Sequence, residues 1–517
     1  MYIDAKGIVP KLIQINVLEY LEHTAARLPD KTALTDTVLA VTFAELMLSA
    51  QAIGSHIASK CGVTGRPVVV LVDRNVESII AFMAVLYSGN FYVPVDIQTP
   101  PERLEKMLAT INPAATVFIS EPSDALQNLN FGSPIHFANA VAAKIDTAAL
   151  AQIRRAQIDT DPAYMIFTSG STGVPKGVVI HHRALIDLAE WLADCFGFTE
   201  NEIIGNQTPF YFDASIKDIY TTIKTGATLH ILPKKLFAMP APLISYLIEA
   251  RVTTILWATS AIKLLANCGI FENLIPHSIS KVFFAGELMP AKQINVWRQA
   301  LPEARFINLY GPTEITVDCT YYEIDRDFAD DESIPIGSAC RNKHVFLLNE
   351  HGTPCAVGEV GELYVRGTGV ALGYYNNPEQ TDALFVQNPL NTSYREIVYK
   401  TGDLAHFNER GELVFNSRRD SQIKHLGNRI ELSEIELAAN SLPKVRHAVC
   451  LYDTSREQIV LIYEGDATRS ELVKSLGAKL PKYMLPTVFT RLDTMPQNQN
   501  GKIDRRELQR LYVDGAD

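Results

Sequence analysis

The stretch Tyr164-Met165-Ile166-Phe167-Thr168-Ser169-Gly170-Ser171-Thr172-Gly173-Val174-Pro175-Lys176-Gly177 decides how this chain is read. Its first four residues form a short apolar run with the character of a buried strand. The run then breaks into hydroxyls and glycines. Glycine allows backbone conformations closed to other residues and lets the main chain approach a ligand closely. Successive backbone N–H groups in such a loop form a concave site for an anion. Four hydroxyls and the Lys176 ammonium add donors and positive charge, a combination that suits a polyphosphate. A flexible Gly/Ser linker would not be led by an apolar strand and closed by Pro-Lys-Gly. Nor is the stretch a Walker A loop. The lysine comes too late after Gly170, and Gly177 follows it where Ser or Thr is required.

The whole chain has 517 residues, enough for a large core and more than one domain. Hydrophobic residues make up 47% and charged residues 20%, the balance of a globular protein in water. A net charge of −11 argues against a nucleic-acid surface and aids solubility. The seven cysteines contain no CxxC pair, so neither a zinc site nor a disulfide framework is indicated. No apolar run reaches the length of a membrane span, and the N-terminus lacks a basic-then-apolar leader. The compartment expected is the cytosol, without a membrane partner.

Around the loop, strand and helix patterns alternate. Phe43–Ser59 and Val76–Tyr87 read as helices, and Pro67–Val72 and Phe91–Val95 as strands. After the loop, Ala227–Leu232, Thr253–Trp257, Lys281–Ala285 and Arg305–Leu309 read as strands with helical stretches between. Alternation of this kind implies βαβ units and a mostly parallel sheet. Residues 121 to 160 read as irregular. From about residue 320 to 417 short β runs with turn signals suggest a β-rich subdomain. From about residue 418 a third texture of short α/β elements begins. The fold class expected is therefore α/β, with a large N-terminal domain over 1–417 and a small α+β C-terminal domain over 418–517. There is no internal repeat and no low-complexity segment.

The loop resembles the phosphate loop of the adenylate-forming enzymes, a superfamily of acyl- and aryl-CoA synthetases, luciferases and the adenylation domains of nonribosomal peptide synthetases. Further motifs follow in that superfamily's order. Val41-Thr42-Phe43-Ala44-Glu45-Leu46 and Leu86 through Asp96 resemble its first two, structural, motifs. Asn308-Leu309-Tyr310-Gly311-Pro312-Thr313-Glu314 follows a strand and turns at Gly-Pro. The resemblance makes it the adenine- and metal-contacting motif: Tyr310 stacks on adenine, Thr313 contacts the phosphate region, Glu314 binds Mg2+, and Asn308 and Gly311 belong to the ATP-binding set. The chemistry agrees, because Mg2+ takes one or two carboxylates plus phosphate oxygens. Tyr399-Lys400-Thr401-Gly402-Asp403 resembles the ribose clamp, with Asp403 accepting from the ribose hydroxyls. Arg418 through Glu431 resembles the hinge motif, in which Arg418 reaches the nucleotide and Asp420 is the pivot. Here Ser417 replaces the glycine that the superfamily usually carries before that arginine. Asn500-Gly501-Lys502-Ile503-Asp504 reads as a hairpin turn and resembles the catalytic-lysine motif. Lys502 would neutralise charge developing on the attacking carboxylate and the α-phosphate.

Phe212-Asp213-Ala214-Ser215 places a carboxylate after an apolar-aromatic run, where it is costly unless paired. Helix capping is one explanation. The resemblance offers another, to the amino-acid-activating branch, in which this aspartate holds the substrate's α-ammonium group. By the same alignment Ala214, Lys217, Leu256 and Phe283 line the pocket with Ala285 and Gly286. Leu309, Val317 and Asp318 complete the wall, and Lys502 stands at the carboxylate end. The set partly resembles pockets for glutamate or glutamine, which favours a polar, acidic substrate. Lys217 follows Asp213 by four residues, so both could face one cavity, and a buried lysine needs a partner. If that partner is Asp318 rather than a substrate carboxylate, a small residue such as alanine or serine becomes the better expectation.

The activity implied is amino acid adenylation by ATP and Mg2+, followed by thioester formation on the phosphopantetheine arm of a carrier protein. The chain ends soon after Lys502 and carries no condensation segment before residue 20, so it is expected to act in trans or to be an excised domain. Two alternatives remain at this stage: an acyl- or aryl-CoA synthetase, against which Asp213 argues, and a non-catalytic nucleotide-binding regulator, against which Lys502, Glu314 and Asp403 argue.

Overall fold

The computed structural model describes residues 2–4, 7–9, 14–121, 126, 128–170, 175–330, 332–419, 422–496 and 503–515. Pro67–Val72 is a strand whose six residues are all buried. Such a run, apolar on both faces, belongs in a parallel sheet covered on both sides. The strand lies within a seven-stranded sheet ordered Gly373–Tyr374, Lys176–His181, Pro162–Thr168, Phe91–Asp96, Pro67–Val72, Ala115–Phe118 and Ser133–His136. The last five of these run parallel, and the first two pair antiparallel at one edge. Side chains alternate across it. Val68, Val70 and Val72 enter the central core, while Val69 and Leu71 face the helix Pro101–Ile111 on the other side.

A second sheet of nine strands has a parallel centre formed by Arg305–Tyr310, Lys281–Ala285, Thr254–Ala258, Ile203–Asn206, Thr228–Ile231 and Thr32–Thr35. The central core lies between the two sheets and includes the helices Phe43–Cys61, Val76–Tyr87, His182–Phe196 and Ser215–Thr225. Of the helix Val76–Tyr87, every residue but Glu77 is buried. Phe82 stacks on Tyr92 with 4.4 Å between ring centroids, and the Tyr92 and Tyr220 hydroxyls meet at 3.1 Å. The outer face of the nine-stranded sheet is covered separately by helices that include Pro240–Glu249, Thr259–Asn267 and Ala291–Ala300.

Residues 343 to 418 form a five-stranded antiparallel sheet, the β-rich texture expected from about residue 320. The expectation of irregular structure over 121–160 is corrected in part: Ser133–His136 is the edge strand of the first sheet, and Thr147–Ala156 is a helix. That helix exposes most of its surface and buries only Leu150, so its apolar period is too weak to read. The helix Phe43–Cys61 begins with a reciprocal capping box between Thr42 and Glu45.

Beyond residue 421 a hairpin, Gln422–His425 with Asn428–Glu431, precedes a three-stranded sheet of Val445–Asp453, Gln458–Gly465 and Val488–Leu492. These elements have apolar clusters of their own. They touch the rest of the chain through polar contacts and through the rings of Phe212 and Tyr483, whose centroids are 5.8 Å apart. Arg103 pairs with Glu434, both almost fully buried, and Lys479 reaches Glu102 at 3.3 Å. The strand Leu413–Arg418 straddles the expected boundary, while the expected pivot Asp420 lies outside the described residues. Removing one partner of a buried pair leaves an uncompensated charge. Arg103→Ala should therefore weaken docking of the segment beyond residue 421, by up to about 3–5 kcal/mol. Limited proteolysis should then cut the variant faster than the parent between residues 417 and 430, and an unchanged cleavage rate would refute the importance of this contact.

Candidate functional site

In open α/β sheets, ligands bind at the C-terminal ends of the parallel strands. Here those ends converge on one cavity of about 280 Å³. Ala258, Ala285 and the turn Gly311-Pro312-Thr313 border it, each at or just past the end of a strand of the nine-stranded sheet. Asp213, Ala214 and Lys217 close it from the start of the helix Ser215–Thr225. Asp403 and Arg418 enter from the β-rich subdomain.

Of the residues picked out from sequence, Leu256, Gly286, Val317 and Asp318 also line this cavity. Phe283 does not. It is fully buried and packs edge-on against Phe196 with 4.9 Å between centroids. Leu309 is likewise core. Asn308 is a buried structural residue whose amide donates to the Pro335 carbonyl at 2.8 Å. Thr168, Ser169 and Gly170 are buried where the loop leaves its strand, and Lys176 opens the next strand with its ammonium 5.5 Å from the Tyr374 ring. Ser171, Thr172 and Gly173 lie outside the described residues, as does Lys502.

Asp213 does not cap the helix: the N-cap is Ala214, in helical conformation, with no side-chain cap. The aspartate borders the cavity instead, with burial pushing its pKa up against the Thr313 hydrogen bond and the Lys217 charge, while Asp318 and Glu314 push it further up. Glu314 is almost fully buried at the other side of the turn. Tyr374 donates to one of its oxygens at 2.7 Å and Arg429 to the other at 2.6 Å. Burial opposes its ionisation, but Arg429, Tyr374, its backbone hydrogen bond and Lys176 together hold its pKa below the ordinary 4.5. Asp403 takes the Tyr310 hydroxyl on one oxygen and Arg418 on the other, the latter at 2.5 Å.

The hairpin Gln422–Glu431 supplies side chains that sequence reading left without a role. Its two-residue turn, Leu426-Gly427, has φ +52° and +77°, the doubly left-handed geometry of a type I′ hairpin. A Cβ on Gly427 would stand 3.0 Å from that of Ala258, so the tip sits against the strand end. The Gly427 N–H donates to Glu287 at 2.7 Å. Behind the tip, Lys424 lies 5.1 Å from the Tyr310 ring centroid, and the Arg429 carbonyl accepts from Ser169 at 2.9 Å. The quoted hinge motif contained Lys424 and Arg429, but position in a motif does not show where a hairpin lands. Tyr374 carried no signal at all.

Among the described residues no group of three or more His, Cys, Asp or Glu could hold a metal alone, and no helix is long and apolar enough to cross a membrane. All seven cysteines are free.

Known proteins bear on this cavity. The model of the AMP-binding enzyme family matches residues 21–375. The chain belongs to that family. It is 31% identical to tyrocidine synthase 1 of Brevibacillus parabrevis over 98% of its own length and 46% of that synthase. It is 29% identical to the D-alanine–D-alanyl carrier protein ligase of Bacillus cytotoxicus, over 96% of its own length and 99% of that ligase. It therefore spans less than half of the first and nearly all of the second. Its fold is that of PA1221, an NRPS protein containing adenylation and PCP domains, with a TM-score of 0.82, 24% identity and coverage of 96% and 97% of the two chains. An artificially fused adenylation–PCP di-domain NRPS from Klebsiella oxytoca gives 0.80, 23%, and 93% and 95%.

A carboxylate held below its ordinary pKa stabilises the folded state above about pH 4.5, and that contribution is lost as pH falls through the folded value. Docking of the hairpin through Arg429 and Glu314 should accordingly loosen in mild acid and be complete at neutral pH. Hydrogen exchange of residues 422–431 against pH is the measurement. Glu314→Gln should flatten the dependence, and a profile identical to the parent's would exclude Glu314 as its source.

Proposed function

We propose that this AMP-binding enzyme is an ATP-dependent, AMP-forming ligase that activates an amino acid and passes it to the phosphopantetheine thiol of a carrier protein. The observation that carries the reading is Asp213. A carboxylate at the wall of a largely apolar cavity is costly unless a cation meets it, and the Lys217 ammonium, whose charge reaches it, is shared with Asp318 at 3.2 Å. An α-ammonium group supplies that cation. The relationship to a carrier protein ligase over 99% of that ligase's length supports the acceptor.

In the first half-reaction an oxygen of the amino acid carboxylate attacks the α-phosphorus of ATP. The bond from that phosphorus to the bridging oxygen breaks, and pyrophosphate leaves. Asp213 orients the nucleophile by its ammonium, the turn Gly311–Glu314 and the loop 168–176 receive the phosphates, and Asp403 receives the ribose. Glu314, one hard carboxylate beside a phosphate loop, fits Mg2+ held mainly through ATP oxygens, which when bound would offset phosphate charge. Arg429 must release Glu314 for this. In the second half-reaction the thiolate attacks the acyl carbon of the mixed anhydride, AMP leaves, and a thioester remains.

The division at residue 418 and a pivot at Asp420 belong to the same proposal. One cleft must present Lys502 in the first step and admit a long thiol arm in the second, and a hinge at an element boundary serves both. Fixing φ by Asp420→Pro should hamper one half-reaction more than the other. Equal loss of both in a folded variant would remove the hinge.

Amino-acid-dependent exchange of pyrophosphate into ATP, screened across L- and D-amino acids, tests the reading, and no exchange with any of them would refute it. Lys502→Ala should fold and lose adenylation by about 10²–10³-fold, the scale for one preorganised charge stabiliser. Near-parental exchange would reduce Lys502 to a surface turn residue.

A further inference from the structure

Lys217, on the helix Ser215–Thr225, and Asp318, past the turn at Gly311, meet at the wall of the cavity. Their Nζ and Oδ2 atoms are 3.2 Å apart and their side chains 2% and 1% exposed. The second oxygen of Asp318 accepts from the same ammonium at 3.3 Å. The chain maintains this placement against backbone strain. Thr316 and Val317, just before Asp318, have φ +58° and +69°. A β-branched residue in that region is a genuine outlier, and such strain persists only where the surroundings over-determine it. Here they do. Thr316 donates its hydroxyl to the Gly369 carbonyl at 2.8 Å, and the buried Lys343 donates to the Asp318 carbonyl at 2.5 Å. Gly311 packs so closely that a Cβ there would stand 2.4 Å from the Val317 carbonyl oxygen.

We propose that the Lys217–Asp318 pair is the end wall of the amino acid side-chain site and makes the enzyme select a small, uncharged side chain such as that of alanine or serine. This rests on the function proposed above. At the end of the cavity Asp213, Lys217 and Asp318 together sum to one negative charge, which the substrate ammonium cancels, while Asp403, Arg418, Lys424 and Arg429 line another part of it. A side-chain carboxylate would add an uncompensated negative charge beside Asp318 and could reach Lys217 only by breaking the pair. A cationic side chain would meet the Lys217 ammonium. Leu256 and Val317 line the remaining wall, so a short side chain finds apolar contact without uncovering either charge. Lys217 alone, read from sequence, favoured an acidic substrate; paired, it loses that attraction.

The test is amino-acid-dependent pyrophosphate exchange by the full chain with alanine, serine, aspartate, glutamate, glutamine, lysine and phenylalanine. The parent should use alanine or serine at least about 100-fold better, by kcat/KM, than aspartate or glutamate, the scale of rejection set by leaving buried polar groups unpaired. Asp318→Asn keeps the shape and releases Lys217, so the ratio of acidic to small substrate should rise at least about tenfold. The exchanged pair Lys217→Asp with Asp318→Lys should return the ratio towards the parent's. A parent that prefers glutamate, glutamine, lysine or phenylalanine overturns the inference while leaving amino acid activation intact. A folded Asp318→Asn with an unchanged ratio overturns it too. If Asp318→Asn fails to fold, the parent's own ranking and Lys217→Met, which should not raise the alanine-to-glutamate ratio by more than about tenfold unless glutamate is the substrate, decide the matter. Exchange with no amino acid refutes the functional reading itself, a distinct result.

Discussion

The ion pair between Arg429 and Glu314 is the contact on which this arrangement of the cleft depends. It joins the hairpin beyond residue 421 to the turn that ends a central strand, at 2.6 Å and with Glu314 1% exposed. A buried carboxylate must be compensated, and the compensating cation here comes from a residue 115 positions away in sequence. With Arg429 in place, Ser169 is bound to the hairpin backbone and Lys424 stands beside Tyr310. On the function proposed, each of these partners occupies a group assigned to the nucleotide or its metal. The hairpin and a fully bound MgATP therefore compete for the same positions, which gives the proposed hinge an electrostatic reason: the cation at Glu314 is exchanged, not added.

The two large sheets make such a site possible by leaving no other place for it. Their parallel strands are covered on both faces by helices, so a ligand enters where the strands end. That rule explains why Asp213, Thr313 and Glu314 lie on turns, and why the backbone there is tight or strained. Gly311 and the left-handed Thr316 and Val317 are local costs that a rigid sheet behind them can sustain.

Much of this was legible from sequence, for physical reasons that differ by element. Pro67–Val72 and Val76–Tyr87 were readable because full burial imposes uninterrupted apolar runs. Thr147–Ala156 was not, since a helix that buries one leucine imposes almost no pattern. Asp213 stood out as a charge after an apolar-aromatic run, whereas Glu314 and Asp403 were singled out only by the resemblance of their motifs. Phe283 and Leu309 are not among the residues that line the cavity. They share a sheet face with Leu256 and Ala285, which do line it, but sit deeper in the core, Phe283 edge-on against Phe196. Arg429 and Tyr374 were missed because a partner's identity is a property of the folded chain.

Lys217 is the sharpest case of that last limit. A lone lysine in a pocket motif has two opposite meanings, substrate ligand or structural counter-ion, and residue type cannot separate them. What separates them is whether the chain delivers a carboxylate to it, and that hangs on a two-residue left-handed turn followed by a single aspartate. An acidic residue at position 318 would be harmless to the substrate if Val317 were extended and its neighbour turned away. With Thr316 and Val317 held left-handed by the Gly369 carbonyl, the Lys343 ammonium and the close approach of Gly311, the carboxylate is delivered to Lys217. The meaning of the charge at 217 is thus set by backbone geometry about one hundred residues along the chain, a dependence carried by contacts between segments and not by either residue alone.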